Sequence, residues 1–228
     1  MADDGENLIG KIKSKLIETK QKWAKDGRLL TGETAAPAAP DAPAAQRLPP
    51  GQHEVKNWPV LDLGVQPMLQ PIRWKLSIDG LVENPVEWKW DDFRAQPQAQ
   101  FKSDIHCVTA WSRFDNHWEG VSAKHVIALV RPKPEAKFVI FHSFDSYVTN
   151  VRRAAFDDED VLLAHSWEGK PLTREHGGPV RIVLPKLYFW KSAKWIKRIE
   201  FAATDQPGFW EERGYHNNGD PWTEERYG

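Results

Sequence analysis

Residues 103–120 read SDIHCVTAWSRFDNHWEG and contain Cys107, the single cysteine of this 228-residue chain. Polar, charged and aromatic side chains crowd around this cysteine: His106, Thr109, Trp111, Ser112, Arg113, Asp115, Asn116 and His117. Groups of these kinds are costly to bury unless they bind something. A thiol close to arginine and histidine ionises readily and acts as a nucleophile or as a soft metal ligand. The pattern therefore favours a functional Cys107, although a lone free cysteine is often an inert core residue.

The amino-acid composition argues against several kinds of centre. One cysteine cannot form an intrachain disulfide, a four-thiolate zinc site or a self-supplied iron–sulfur cluster, and the chain has no C-x-x-C-H motif for covalent haem. We therefore expect no haem and no iron–sulfur cluster. The formal net charge of −1 gives no reason to expect nucleic acid as a partner. Twelve tryptophans against four tyrosines indicate a rigid core or an aromatic-walled pocket.

Neither a membrane span nor an export signal is apparent in the sequence. No apolar run approaches the length that a bilayer requires, and no apolar signal region or arginine pair opens the chain. We therefore expect no transmembrane segment and a cytoplasmic location.

The chain divides into three zones. Residues 1–30 place apolar side chains at helical spacing among many lysines, which predicts a basic amphipathic helix that packs on its own domain or lies on a membrane or a partner. Residues 31–47 are rich in alanine and proline and predict a linker. Residues 48–228 form the predicted globular domain.

Short apolar or alternating runs in the globular domain predict an α+β fold that is rich in strands. The predicted strands are residues 74–80, 137–144, 180–185 and 194–202, and the predicted short helices are residues 122–130 and 158–167. The tail, residues 207–228, is rich in glycine and aromatic residues and is expected to wrap the surface or close over the site.

Two further stretches carry candidate ligand-binding residues. Residues 176–195, HGGPVRIVLPKLYFWKSAKW, combine two glycines with histidine, arginine, serine and lysine side chains that suit an anionic group such as a phosphate. A solvated basic turn is the alternative. Residues 47–64 form a proline-rich entry into the domain, in which Lys56 and Asn57 could reach a ligand or remain on the surface.

The order of these motifs resembles a known family. K-N-W-P-V-L is followed by W-x-L-x-I-x-G, H-C-V-T-A-W-S, H-G-G-P-V-R-I-V-L-P and W-K-S-A-K-W. This order is similar to the molybdopterin-binding domain of sulfite oxidases and of the periplasmic methionine-sulfoxide reductase catalytic subunit. It most resembles the cofactor-domain-only branch, the sulfite-oxidase-like oxidoreductases, over nearly all of residues 48–228. The resemblance implies a sulfite-oxidase-type α+β fold with mixed, strand-rich sheets and short helices.

The resemblance also implies a cofactor and its ligands. Cys107 would bind molybdenum, or tungsten in its place, beside the two dithiolene sulfurs of a single molybdopterin. The residues that would hold this cofactor are Lys56, Asn57, Asp145, His176, Arg181, Ser192, Ala193 and Lys194. Arg113 would act with Cys107 at the reacting end, where His106, Trp111 and His117 would wall the substrate pocket. Because sulfite oxidases place several arginines near the metal and only Arg113 follows the cysteine here, a sulfite pocket is disfavoured.

The function that the resemblance implies is two-electron oxygen-atom transfer on a small oxo substrate, such as a sulfoxide, an N-oxide or a sulfite-like compound. Electrons would pass through a separate cytochrome, flavoprotein or membrane subunit, since the chain carries no second redox centre of its own. Two alternatives stay open at this point. Cys107 could be a nucleophile activated by His106 or His117, or the domain could be a non-catalytic module that binds an anion.

Overall fold

The computed structural model describes residue 43 and residues 46–228. The predicted N-terminal helix and nearly all of the predicted linker lie outside the described residues. In the described part, the strands are β1 His53–Glu54, β2 Lys75–Gly80, β3 Val86–Lys89, β4 Ala99–His106, β5 Trp111–Ser122, β6 Phe138–Ser143, β7 Val148–Arg152, β8 Leu162–Trp167, β9 Lys170–Pro171, β10 Arg181–Val183 and β11 Ile196–Ala202. The α-helices there are α1 Trp90–Arg94, α2 Ala123–Val130 and α3 Arg153–Phe156, and short 3₁₀ turns occupy Pro71–Arg73, Arg174–His176 and Glu211–Arg213.

The strands form two mixed sheets. In the first, β1, β5, β8 and β10 follow in that order, while β4 also pairs with β5 and β9 with β8. In the second, the order is β3, β2, β11, β6 and β7. The β1–β5 and β2–β11 pairs are parallel and the other pairs are antiparallel. Mixed sheets with few short helices confirm the predicted α+β class.

Most predicted elements are present. The four predicted strands correspond to β2, β6, β10 and β11, and the predicted helix at residues 122–130 is α2. The side chain of Ser122 accepts a hydrogen bond from the main-chain nitrogen of His125 and so caps α2. Val126 and Val130 on the buried face of α2 have no solvent exposure. The helix predicted from the spacing of apolar residues is thus present as α2.

The helix predicted at residues 158–167 is wrong. Leu162–Trp167 is β8, which pairs with β5, β9 and β10 inside the first sheet. Leu162 and Leu163 are fully buried, as is Ala164. A continuous apolar run that is buried on both faces has no two-residue alternation, so its spacing does not distinguish a central strand from a buried helix.

The fold brings three segments of the chain to one place. A tight turn follows β4 and carries Cys107 into β5. The connection from β10 to β11 carries the basic run that precedes Trp195. The tail then returns along β7, because the nitrogen of Phe209 donates to the oxygen of Val148 at 2.8 Å.

The ordered domain begins before the predicted boundary at residue 48. Arg47, assigned to the linker from the sequence, is buried and donates hydrogen bonds of 2.8 Å to both Asp104 and Asp115. Its guanidinium also lies 4.4 Å from the ring centre of Phe114. Arg47 therefore belongs to the folded domain, which corrects the linker by at least one residue.

Candidate functional site

A cleft lies where the β4–β5 turn, the β10–β11 connection and the tail meet. Its empty space amounts to about 870 Å³, including open solvent at its mouth. Cys107, His176, Arg181 and Ser192 all line it, so the thiol and the predicted anion-binding residues share one space.

The backbone around Cys107 is held by several hydrogen bonds. The nitrogen of Cys107 donates to the oxygen of Trp111 at 2.8 Å, which closes the turn between β4 and β5. The side-chain amide of Gln52 donates to the Cys107 oxygen at 3.0 Å, and the guanidinium of Arg226 donates to the oxygen of Val108. The sulfur itself lies 3.1 Å from the hydroxyl oxygen of Thr109. The thiol is therefore fixed at the wall of the cleft on a rigid turn.

Arg181 is a buried cation at the other side of the cleft. Only 3% of this residue is exposed. It donates to the main-chain oxygens of His176 at 3.0 Å and Ser192 at 2.8 Å, and among the described residues no carboxylate lies within 4.0 Å of it. Burial lowers the pKa of Arg181 to about 9, because it removes water from around the charged guanidinium. An anionic ligand in the cleft would supply the missing counter-charge.

His176 and Lys194 flank this arginine. The imidazole of His176 stacks on Trp58 with 3.9 Å between ring centres. Burial, reinforced by the charges of Arg181 and Lys194, lowers the pKa of His176 to about 4, so the ring is neutral at pH 7 and can both donate and accept a hydrogen bond. The ammonium of Lys194 donates to the oxygen of Glu175 at 2.8 Å and lies 4.0 Å from a carboxylate oxygen of Asp62.

The structure brings eight of the predicted site residues to the wall of the cleft. They are Cys107, Trp111, Asp145, His176, Arg181, Ser192, Ala193 and Lys194. Their distances apart in the sequence show that the fold, rather than local proximity, assembles the site. Their individual roles toward a cofactor stay predictions.

Lys56, Asn57 and Arg113 do not line the cleft, which corrects the placement predicted for them. Lys56 and Asn57 are exposed, and the ammonium of Lys56 pairs with Glu54 on the surface. The guanidinium of Arg113 donates to the side-chain oxygen of Asn116 at 2.5 Å and lies 4.7 Å from the ring centre of Trp167. Lys56 and Asn57 therefore remain at the surface, and Arg113 is bonded to the buried Asn116 rather than lining the cleft.

His106 and His117 also lie outside the cleft wall, contrary to the prediction. His106 is the last residue of β4, and Cys107 follows it in the turn that leads to β5. One ring nitrogen of His106 lies 2.8 Å from the hydroxyl of Ser112, and burial lowers the pKa of His106 to about 4. His117 is exposed on β5. Neither histidine lines the cleft beside the thiol.

Aromatic side chains form much of the wall that was not predicted residue by residue. They are Trp58, Tyr147, Phe189, Trp190, Trp195, Trp210 and Tyr215. The tryptophan-rich composition was the available signal, but a tryptophan in the core and one on a pocket wall look alike in a sequence. Trp210 and Tyr215 belong to residues 207–228, so the tail closes over the site as expected.

The donor set suits a metal that arrives with ligands of its own. No group of three histidine, cysteine or carboxylate side chains in the described residues could hold a bare metal ion. Cys107 is a soft ligand that could hold a metal whose other ligands come from an organic cofactor. The buried, uncompensated guanidinium of Arg181 beside the same space fits the anionic group of such a cofactor.

Within the described residues, every helix is too short or too polar to cross a bilayer.

Comparison with known proteins agrees with this chemistry. The family model described as oxidoreductase molybdopterin binding domain matches residues 63–210. The chain is 45% identical over 182 residues to the uncharacterized oxidoreductase YuiH of Bacillus subtilis, covering 79% of this chain and 92% of the relative. It is 29% identical over 174 residues to the protein-methionine-sulfoxide reductase catalytic subunit MsrP of Ralstonia nicotianae, covering 67% of this chain and 52% of the relative.

A solved structure shares the fold. The sulfane dehydrogenase SoxCD from Paracoccus pantotrophus superposes with a TM-score of 0.56 at 22% identity, over 61% of this chain and 40% of that chain. Together with the sequence matches, this confirms the fold class and the resemblance stated from the motifs. The chain therefore belongs to the oxidoreductase molybdopterin binding domain family and is an enzyme of that family.

Proposed function

We propose that this enzyme binds molybdenum and a single molybdopterin in the cleft and catalyses two-electron oxygen-atom transfer on a small oxo substrate. The observation that carries the proposal is the shared cleft of Cys107 and Arg181. One residue supplies a soft sulfur ligand, and the other is a buried cation that lacks a carboxylate partner among the described residues. Thiol and cation in one space match the two ends of a metal–dithiolene cofactor that carries a phosphate.

The chain's own residues bind and enclose this cofactor. Cys107 would hold the metal, while Arg181, Lys194 and Ser192 would hold the anionic group and His176 the pterin. When bound, the cofactor supplies a metal that exchanges two electrons and an oxygen atom with the substrate. The aromatic walls exclude water and stiffen the cleft, which strengthens the polar contacts inside it.

A neutral substrate is favoured over sulfite. The charged donors of the cleft, Arg181 and Lys194, are assigned to the cofactor. Beside the thiol the turn offers Thr109 and Trp111, while Arg113 is directed to Asn116 instead. A sulfite dianion would require cations at that end, so we propose a sulfoxide or an N-oxide. The name of the MsrP relatives, protein-methionine-sulfoxide reductase, supports the sulfoxide.

A separate protein is proposed to exchange electrons with the cofactor. The MsrP relatives are named catalytic subunits, and the chain spans about half of their length. A cytochrome, a flavoprotein or a membrane subunit would each serve. A cytoplasmic location is likewise part of the proposal.

Metal and pterin analysis of the purified protein tests the proposal. We expect one molybdenum and one pterin per chain, and reduction of methionine sulfoxide with reduced benzyl viologen as the electron donor. Tungsten in place of molybdenum would change the metal and leave the site assignment intact.

Metal-free protein would contradict the proposal. If such protein had an activity that iodoacetamide abolished, Cys107 would be a nucleophile; if it were inert, the domain would be a binding module. The position of His106, bonded to Ser112 and outside the cleft wall, already disfavours the nucleophile.

A further inference from the structure

Lys191 is a buried lysine that lies between two cleft residues, Trp190 and Ser192. Its side chain has no solvent exposure, and its ammonium lies 2.6 Å from a carboxylate oxygen of Glu211, whose side chain is 2% exposed. Neither residue of this pair lines the cleft. Their neighbours do: Trp190 and Ser192 flank the lysine, and Trp210 precedes the glutamate.

The ammonium of Lys191 joins three segments of the chain. It donates to the main-chain oxygen of Asn150 in β7 at 2.9 Å and to the main-chain oxygen of Asn217 in the tail at 2.7 Å. With Glu211, these bonds connect β7, the β10–β11 connection and the tail through one atom. Such directional bonds fix the relative positions of the segments as well as holding them together.

The carboxylate of Glu211 is equally occupied. One oxygen accepts from the hydroxyl of Thr149 at 3.0 Å and from the indole nitrogen of Trp190 at 2.9 Å. The other accepts from the main-chain nitrogen of Gly208 at 3.1 Å. Glu211 therefore orients the indole of Trp190, a wall residue, in addition to neutralising Lys191.

Buried ion pairs are seldom a source of stability. Removing two charges from water costs about as much as their attraction returns, and an apolar pair of similar volume often stabilises a protein as well or better. An apolar pair, however, does not specify the orientation of Trp190 or the register of the tail. A role in positioning accounts for the chemistry of this pair better than stability does.

We propose that the Lys191–Glu211 pair is a positioning device for the cleft. It holds the tail wall, formed by Trp210 and Tyr215, at a set distance from the wall formed by Trp190 and Ser192. Tyr215 stacks on Trp210 with 4.7 Å between ring centres, so both rings follow any movement of Glu211. The consequence for substrate binding rests on the proposed function, whereas the consequence for the structure of the tail does not.

Paired substitution separates positioning from stability. In Lys191→Met/Glu211→Gln neither buried charge remains, and the glutamine can still accept hydrogen bonds from Trp190 and Thr149. In Glu211→Asp the charge remains and the carboxylate retracts by one methylene. Asp79→Asn/Arg198→Met is the control: that 2.8 Å ion pair joins β2 to β11, its side chains are partly exposed, and neither residue lines the cleft.

Two readouts are measured on each purified full-length variant. The first is hydrogen exchange of the backbone amides of residues 208–217, several of which are hydrogen bonded within the tail. The second is the division of the change between KM and kcat for methionine sulfoxide, with reduced benzyl viologen as donor. We expect Lys191→Met/Glu211→Gln and Glu211→Asp to exchange faster in the tail. Both should also raise KM about tenfold, more than they lower kcat. The control should match the wild-type protein in both readouts.

The outcomes distinguish the two claims. If the Lys191 and Glu211 variants keep the wild-type rate of hydrogen exchange in the tail and the wild-type KM, the positioning role is overturned. If the double variant does not fold, Glu211→Asp decides by the same two readouts. If the wild-type protein contains no molybdenum and no pterin, the proposed function fails, and the hydrogen exchange alone decides whether the pair positions the tail.

Discussion

The guanidinium of Arg181 and the main-chain oxygen of Ser192 form a 2.8 Å hydrogen bond that joins β10 to the basic run before Trp195. The same guanidinium donates to the oxygen of His176 at 3.0 Å. One buried side chain thus brings together three of the positions assigned to cofactor binding, Arg181, His176 and Ser192. It also stacks on the aromatic wall, 4.2 Å from the ring centre of Phe189. Arg181 is therefore both a structural hub and the main positive charge of the cleft.

Arg181→Met combined with Lys194→Met should lower the pterin content of the purified protein at least about tenfold, because both cations facing the anionic group are lost. Pterin fluorescence after release from the protein measures the content. Lys186→Met is the matched control, since Lys186 belongs to the same basic stretch but pairs with Asp158 outside the cleft. Equal pterin content in all three proteins would show that Arg181 and Lys194 do not hold the cofactor.

Cys107→Ala should remove the molybdenum–thiolate absorption and abolish oxygen-atom transfer, and the domain should remain folded. Cys107 is buried, and the turn around it is held by main-chain hydrogen bonds that an alanine at this position would also form. Absorption spectroscopy, viologen-linked assays and thermal unfolding measure the three effects. Activity retained by the variant would remove Cys107 from the metal site.

Arg113→Ala and Lys56→Ala should each leave molybdenum and pterin content at the wild-type value, because neither side chain lines the cleft. Arg113→Ala should lower the free energy of unfolding by about 1 kcal/mol, since it loses a charged hydrogen bond to Asn116 and contact with Trp167. Metal analysis and chemical denaturation measure these effects. Loss of cofactor in either variant would restore the roles predicted for these residues from the sequence.

Gly177→Ala should destabilise the protein and reduce pterin content. Gly177 has a φ of +100°, and a Cβ atom there would lie 2.9 Å from the Cβ of Lys194. Gly169→Ala is the control, because Gly169 also has a positive φ of +71° but nothing lies within 4 Å of an added Cβ. We expect a loss of about 1 kcal/mol from backbone strain at Gly169 and about 2 kcal/mol or more at Gly177. If the free energy of unfolding fell equally in the two variants, the side chain of Lys194 would move aside for the added Cβ without destabilising the fold.

His165 should make the protein less stable in acid. Burial, assisted by the charge of Arg94, lowers the pKa of His165 from 6.5 to about 4. Below pH 6.5, His165 is protonated in the unfolded chain but stays neutral in the folded chain. The free energy of unfolding therefore falls as the pH drops from 6.5 to 4. The loss reaches about 3 kcal/mol at pH 4.

His165→Gln should make this acid slope shallower, as measured by denaturation at several pH values. Burial raises the pKa of Asp160 to about 6, which acts in the opposite direction over the same range, so the difference between variants is the quantity to compare. His117→Gln, a change at an exposed position, serves as the control. An unchanged slope in His165→Gln would contradict the assignment.

The site was predictable in part because its polar residues are unusual in the sequence. Residues 103–120 hold the single cysteine among arginine, histidine and tryptophan. Residues 176–195 combine glycine, arginine, serine and lysine. Such combinations are uncommon in segments that only pack in a core. The strands β2, β6, β10 and β11 were equally visible, since their side chains favour extended backbone. Leu162–Trp167 was not, because a fully apolar run has no periodicity to reveal its conformation.

Direction and distance explain the errors at the site. Lys56 and Asn57 are adjacent to Trp58, yet only Trp58 lines the cleft, because the polar pair remains in water while the indole is buried. His106 precedes Cys107 directly, yet only Cys107 lines the cleft, because His106 is the last residue of β4 and is bonded to Ser112. Proximity in sequence therefore identified segments that reach the cleft but not always the side chains that line it.

The sequence by itself determined the class of fold, the thiol and the cations of the site, because these depend on residue types and on short-range spacing. Only the tertiary structure decided which of them share a cleft, which aromatic rings form its walls, and how the tail closes it. The reason is physical: burial and hydrogen bonding between residues far apart in the chain, such as Lys191 with Asn150 and Asn217, place those groups, and local sequence does not encode such contacts.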